Sequence, residues 1–322
     1  MSSGRRIRDI AALLLCASAT ILHAEDFPSR LVTLVVPFAA GSVTDNVTRA
    51  LVPATQDSLG QTIIVENKVG AQGTVGAAYV ARSKPDGYTL LVASSGMFVA
   101  KSFYKALPYD PNDSFQPVSG VGSTSMMFMV AESSPIKSLA DLVSAVQRGQ
   151  PPVTMGFGSP NGQVAVALIS SVIKGATVPV SYRSIPQVLT DALGGHVQVA
   201  VADIGNGVAQ MRSSKMRGLA ISAAVRSVAA PDVPTLQETF PGARGSVETF
   251  IAVQAPANTP AAIVDRLDTA IRAALARPEV RARLAALTVA VLPLSAAETA
   301  RRIKNDNPQW EALIKQAGME PE

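Results

Sequence analysis

A short apolar run, Val32, Leu34, Val35 and Val36, is cut off by Pro37 and followed by the small-residue turn Phe38-Ala39-Ala40-Gly41-Ser42. Beyond it, Val47, Ala50 and Leu51 recur at helical spacing, with Thr44 as the expected N-cap. A run so short and so rich in β-branched residues suits a strand buried on both faces, as in a parallel sheet covered by helices. This order of strand, small-residue turn and helix N-terminus constrains the fold most, because the chain repeats it. Thr62 to Glu66 reads as a second strand before the glycine-rich turn Gly70 to Gly76, and Tyr88 to Ala93 as a third that ends at Ser94-Ser95-Gly96. Val153 to Phe157, then Gly158-Ser159-Pro160-Asn161-Gly162 and a helix through Val164, Leu168 and Ile169, is a further copy of the opening unit. With 322 residues, 48% of them hydrophobic and only 5% aromatic, the chain has room for about two domains of α/β architecture.

The repeated turns carry chemistry as well as topology. The first N–H groups of a helix lack intrahelical partners, and the helix dipole adds partial positive charge, so such a turn can seat a carboxylate without a basic side chain. The same small residues would serve equally for packing alone. In parallel α/β sheets the loops after strand C-termini line one edge, so Gly41-Ser42 and Ser94-Ser95 are expected in one crevice.

Further elements are Met126 to Val130, Val178 to Tyr182, Val197 to Val201 running into Ala202-Asp203, and Gly218 to Ser222 as strands. Ser138 is the expected N-cap of a helix over Leu139 to Val146, and Leu189 to Leu193 a helix stopped by Gly194-Gly195. Thr259 as N-cap and Pro260 at the first helical position open a helix with Ile263, Leu267, Ile271 and Leu275 on one face. Ser295 and Glu298 form a capping box for a last helix, which Pro308 is expected to kink or divide.

The N-terminus has the pattern of a secretory signal peptide over residues 1–24: Arg5, Arg6 and Arg8, the apolar Ile10 to Cys16, and small residues at Ala17-Ser18-Ala19 and Ala24. The apolar stretch is too short to span about 30 Å of hydrocarbon. The single cysteine, Cys16, leaves with this segment, so no disulfide or thiol chemistry is expected afterwards. The formal charge of +4 shows no basic stripe and speaks against nucleic-acid binding.

Catalytic signatures are missing. Of two histidines, His23 belongs to the leader, leaving His196 in a turn, and one histidine without cysteine does not make a usual zinc site. The 158–162 turn is not a nucleophile elbow. Asp45 and Asp203 could meet in space, yet no spacing marks them as an acid and base pair. No cofactor or metal is expected; the pattern points to binding without catalysis.

The segments FPSRLVTLVVPFAAGSVTDNVTR (27–49), VENKVGAQGTVGAAYVARSKPDGYTLLVASSG (65–96), LTDALGGHVQVAVAD (189–203), RGLAISAAVRSVAAPDVPTLQE (217–238) and APANTPAAIVDRLDTAI (255–271) resemble the periplasmic solute-binding proteins of tripartite tricarboxylate transporters, the Bug family. The resemblance implies a two-lobed periplasmic binding protein fold, type II-like, with the ligand cleft between lobes. Lobe one would comprise 25–123 and 248–322, lobe two 124–247, and crossing segments near 124–130 and 247–253 would form the hinge. It also implies capture of a small organic anion, such as a dicarboxylate, aromatic carboxylate or acidic amino acid, by a monomeric protein in the periplasm. The captured acid would pass to membrane transporter subunits, or the closed form would signal to a sensor kinase; an exported carboxylate-based hydrolase or isomerase is the enzyme alternative.

The residues so implicated are Phe38, Ala39, Ala40, Gly41, Ser42, Thr44 and Asp45 in the first loop, Gly158, Ser159, Asn161 and Gln163 in the second, and Ser94, Ser95 and Asp203 at other strand ends. Asp203 would face an ammonium or hydroxyl, sit behind water, or cap the next turn. Three features depart from the family pattern: Gly41-Ser42 replaces a frequent Gly-Gly, Gln163 stands where histidine is common, and Met97 and Phe98 follow Ser95. They favour a less hydrophilic carboxylate.

Overall fold

The structure, a computed structural model, describes residues 27–173, 175–240 and 246–321; the expected leader, with Cys16 and His23, lies outside the described residues. Among these the chain runs β1 (Val32–Val36), α1 (Val43–Leu59), β2 (Ile63–Asn67), α2 (Thr74–Ala81), β3 (Thr89–Ser94), α3 (Ser95–Phe98) and β4 (Phe115–Ala131). It continues through α4 (Leu139–Arg148), β5 (Val153–Phe157), α5 (Pro160–Ile173), β6 (Thr177–Ser181), α6 (Ile185–Leu193), β7 (Val199–Asp203), α7 (Ile204–Arg212), β8 (Met216–Ile221) and α8 (Leu236–Thr239). It ends with β9 (Glu248–Pro256), α9 (Ala261–Ala276), α10 (Pro278–Ala286), β10 (Ala290–Val291) and α11 (Ala296–Gln316). The sheet order is β2-β1-β3-β9-β4-β7-β5-β6, with β8 and β10 also pairing β4.

The α/β expectation holds, and the sheet is mixed. β1 pairs in parallel with β2 and β3, and β5 in parallel with β6 and β7, while β4 and β9 are antiparallel to their neighbours. β4 is a single strand of 17 residues that changes partners along its length. Residues 115–125 pair with β9, and residues 126–131 with β7 or β8. The sequence suggested only its second part, because the first contains Pro117, Gly120 and Gly122 and two register slips. Where the resemblance implies only a crossing segment near 247–253, the chain forms the nine-residue strand β9.

Strand alternation distributes the core. Met126, Phe128 and Val130 enter one cluster with Leu142, Leu168 and Ile169, whereas Met127 and Met129 enter another with Val188, Leu189 and Val208. The second part of β4 is therefore covered on both faces. The other core gathers β1, β3, β9 and α9 around Val35, Leu90, Ile251 and Leu267.

Two helix starts match expectation. Ser138 accepts from the Asp141 N–H at 3.1 Å, and Ser295 and Glu298 form the complete capping box. Thr259 does not cap α9: its hydroxyl donates to the Pro256 carbonyl at 2.7 Å, and Pro260 takes the N-cap position. Pro308 does not divide α11, which runs unbroken for 21 residues. An interior proline costs about 3 kcal/mol, and the burial of Trp310, Leu313 and Ile314 beyond it offsets that. These three residues join the cluster of Leu142 and Leu168, while Ala296 and Ile303 pack on the core of β1 and β9, so α11 touches both halves.

Ser222 ties the crossover. Its hydroxyl accepts from the Met126 N–H at 2.9 Å and donates to the Val247 carbonyl at 2.6 Å, joining β8, β4 and the approach to β9. Ser222→Ala should cost about 1–3 kcal/mol in urea unfolding, because it strands the buried Met126 N–H.

Candidate ligand-binding cleft

The first loop turns on Gly41, whose φ of +83° lies in the left-handed region. Ser42 follows in an extended conformation and, in place of Thr44, is the N-cap of α1, its hydroxyl accepting from the Asp45 N–H at 3.3 Å. Thr44 is already helical. Only position 41 needs a glycine, so serine at 42 carries no backbone strain. Asp45 is 2% exposed and braces the loop: its carboxylate accepts from the Gly41 N–H at 3.0 Å, Asn67 Nδ2 at 2.9 Å and Arg49 Nε at 3.0 Å. Burial alone would raise its pKa, but these hydrogen bonds outweigh burial and hold it below the ordinary value.

The second loop is tighter. A Cβ on Gly158 would lie 2.5 Å from the Ser184 carbonyl carbon, so backbone meets backbone there. α5 begins at Pro160, earlier than the sequence suggested, which places Asn161 in its first turn, buried at 1% exposure. Its Oδ1 accepts from the Gly96 N–H at 2.9 Å, and its Nδ2 donates to Thr249 Oγ1 at 2.6 Å. One side chain thus ties α3, just after β3, and the start of β9 to α5.

A narrow, nearly closed cleft of about 20 Å³ lies between these loops. It is lined at the N-termini of four helices: Ser42, Val43 and Thr44 of α1, Ser159 and Asn161 of α5, Ser184 and Ile185 of α6, and Asp203 before α7. Phe38, Ala39, Ser94, Gly158, Arg183 and Thr249 complete it. Nine of the residues implicated by sequence meet here: Phe38, Ala39, Ser42, Thr44, Ser94, Gly158, Ser159, Asn161 and Asp203.

Five do not line it. Ala40 is exposed on the turn. Gly41 and Asp45 are bonded to each other. The Ser95 hydroxyl accepts from the Phe250 N–H at 2.8 Å, and Gln163 accepts from Gln72 Nε2 at 2.9 Å.

Arg183, Ser184 and Thr249 escaped the sequence reading. A signal for the first two was present, since they follow the strand read over 178–182 and occupy the same strand-end position as Ser94 or Asp203. Thr249 had none, because β9 was not recognised as a strand.

Arg183 and Asp203 are the charged side chains lining the cleft. Arg183 is exposed and has no ion pair among the described residues. Asp203 is 4% exposed, and burial pushes its pKa up to about 7, against the opposing pull of its own N–H and the Thr249 hydroxyl. Although it stands at the N-cap position of α7, its side chain makes no cap bond, so capping does not explain its presence. The arrangement offers N–H groups, hydroxyls and one guanidinium to an anion, with a carboxyl that is easily neutralised beside them. No cluster of His, Cys, Asp or Glu suited to a metal occurs among the described residues.

Asp45→Asn should cost about 1–3 kcal/mol in urea unfolding, since it turns an acceptor towards Gly41 and Asn67 into a partial donor. Asp203 titrates near 7 when folded and at its ordinary 3.8 when unfolded, so the folded chain holds an extra proton between those values. Its stabilising contribution is complete below about pH 4 and is lost as pH rises through about 7. Asp203→Asn should remove this dependence, so the wild-type Tm should fall relative to the variant's between pH 5 and pH 8 in paired melts.

The family described as tripartite tricarboxylate transporter family receptor matches residues 47–319. A UPF0065 protein of Bordetella bronchiseptica is 32% identical over 317 residues, covering 97% of this chain and 93% of its own length. The periplasmic binding protein BugD superposes with a TM-score of 0.87 at 31% identity, over 92% of this chain and 100% of that one. MatC from Rhodopseudomonas palustris, solved with bound malate, gives 0.84 at 30% identity, over 89% and 100%. A match across most of the chain, in sequence and in fold, shows that this protein belongs to the tripartite tricarboxylate transporter receptor family of periplasmic solute-binding proteins.

Proposed function

We propose that the cleft captures a small organic acid and that the loaded protein presents it to the membrane subunits of a tripartite tricarboxylate-type transporter. The observation that carries this reading is the convergence of the N-termini of α1, α5, α6 and α7 with Arg183 on one cleft. Exposed helix N-termini attract an anion by about 0.3–1 kcal/mol each, more when partly buried. Hydrogen bonds to the charged group add about 1.5–3 kcal/mol each. The malate bound by MatC is consistent with a carboxylate as ligand.

In this reading the parts 25–123 with 248–322, and 124–247, act as lobes that close on the ligand about a hinge near 124–130 and 247–253. The far end of α11 packs with the second lobe, so closure also involves that helix. Asn161 joins the lobes at the floor, and Gln72 with Gln163 joins them elsewhere. The leader over residues 1–24 directs export and is removed. Ser42, Thr44, Ser159 and Ser184 donate hydroxyls to the acid, and Asp203 faces a hydroxyl or ammonium of the ligand, or its own proton bridges to the carboxylate.

A thermal-shift screen of the purified protein against aliphatic, aromatic and amino acids tests this. A ligand at 100 times its Kd adds about 2.7 kcal/mol of stability, which raises Tm by several degrees. Arg183→Gln, on an exposed side chain, should weaken the best acid about tenfold without lowering the Tm of the free protein. If no acid shifts Tm and mass spectrometry of the denatured protein finds none carried through purification, the reading fails.

A further inference from the structure

Beside the anion cleft lies a second compartment of about 350 Å³ that shares Phe38, Gly158 and Arg183 with it. Its other walls include Gln72, Tyr104, Ser181 and Tyr182. Two of the chain's five tyrosines therefore face the same space as Phe38. Tyr104 donates its hydroxyl to the Ala71 carbonyl at 3.2 Å, and the Tyr182 ring packs against Gly156. Rings held in this way present preorganised apolar faces. Apart from Arg183, which borders both spaces, no charged side chain lines this compartment.

We propose that the second compartment receives the remote end of the ligand, and that the acid captured here carries a neutral aromatic group. This rests on the carboxylate reading of the first cleft and extends it to the rest of the molecule. One guanidinium and the helix N-termini answer a single carboxylate in the first cleft. A second carboxylate placed among Phe38, Tyr104 and Tyr182 would lose its hydration without gaining a cation of its own. A planar ring instead gains stacking or edge contacts on fixed rings and sheds water from apolar surface. The first cleft takes the carboxylate as the loops part around it, and the ring extends past Arg183, which borders both spaces.

Isothermal titration with propionate, succinate, phenylacetate and 3-phenylpropionate tests the assignment. The two aryl acids should bind at least tenfold more tightly than propionate or succinate. Tyr182→Ala, which removes a wall, and Ser181→Trp, which fills the space from an exposed position, should each abolish that preference and leave propionate unchanged. Aryl acids binding no better than succinate, or a preference untouched by both variants, would overturn this inference while leaving the carboxylate reading standing. Binding by none of the acids would overturn both.

Discussion

The structure depends on one strand that cannot be divided between its halves. β4 runs for 17 residues, and its backbone groups are satisfied by β9 up to Ser125 and by β7 and β8 from Met126. A buried backbone group without a partner costs as much as a lost hydrogen bond, so the exchange of neighbours has to be completed within a residue or two. Ser222 completes it, by bonding Met126 and Val247 with one hydroxyl and pairing with both through its own backbone. The crossover sets the relative placement of the parallel strands on either side. Once it is set, the C-terminal ends of β1 and β3 face those of β5 and β7, and the helices that follow point their N-termini into one space.

That arrangement accounts for the unusual electrostatics of the cleft. Its positive potential is spread over backbone N–H groups, with Arg183 as the one cationic side chain. The dipoles together supply attraction of the same order as a single guanidinium at the surface, where a unit pair at 4 Å is worth about 1–4 kcal/mol. Neither source dominates, and geometry decides which acids fit. The two aspartates near the loops illustrate how environment separates like residues. Asp45, with three donors around it, stays ionised and acts as a brace. Asp203, equally buried but with little besides Thr249 to answer it, is driven towards its neutral form. A carboxyl that can shed its charge does not repel an incoming anion.

The same geometry bears on motion. Asn161 satisfies both ends of its amide on groups from α3 and β9, and Gln163 is held by Gln72 from the turn before α2. These contacts join the halves.

Strands, turns and caps were legible from local pattern. Val32 to Val36 and Val153 to Phe157 are short runs bounded by proline or glycine, and Ser138 and Ser295 sit three residues before acids that complete their caps. Period and capping are properties of neighbouring residues, so the chain states them directly. The sequence also determined which strand ends would carry small residues, and its resemblance to the family pointed to nine of the cleft-lining residues. Tertiary structure alone decided the rest. Only folding brought Thr249 beside Asn161 and turned Arg183 towards the loop at Phe38. Folding alone set Ser95 against Phe250, and it carried the end of α11 across to the second half despite Pro308. Each of these depends on contacts between residues far apart in the chain, where packing free energy outweighs local preference and leaves no mark on sequence periodicity.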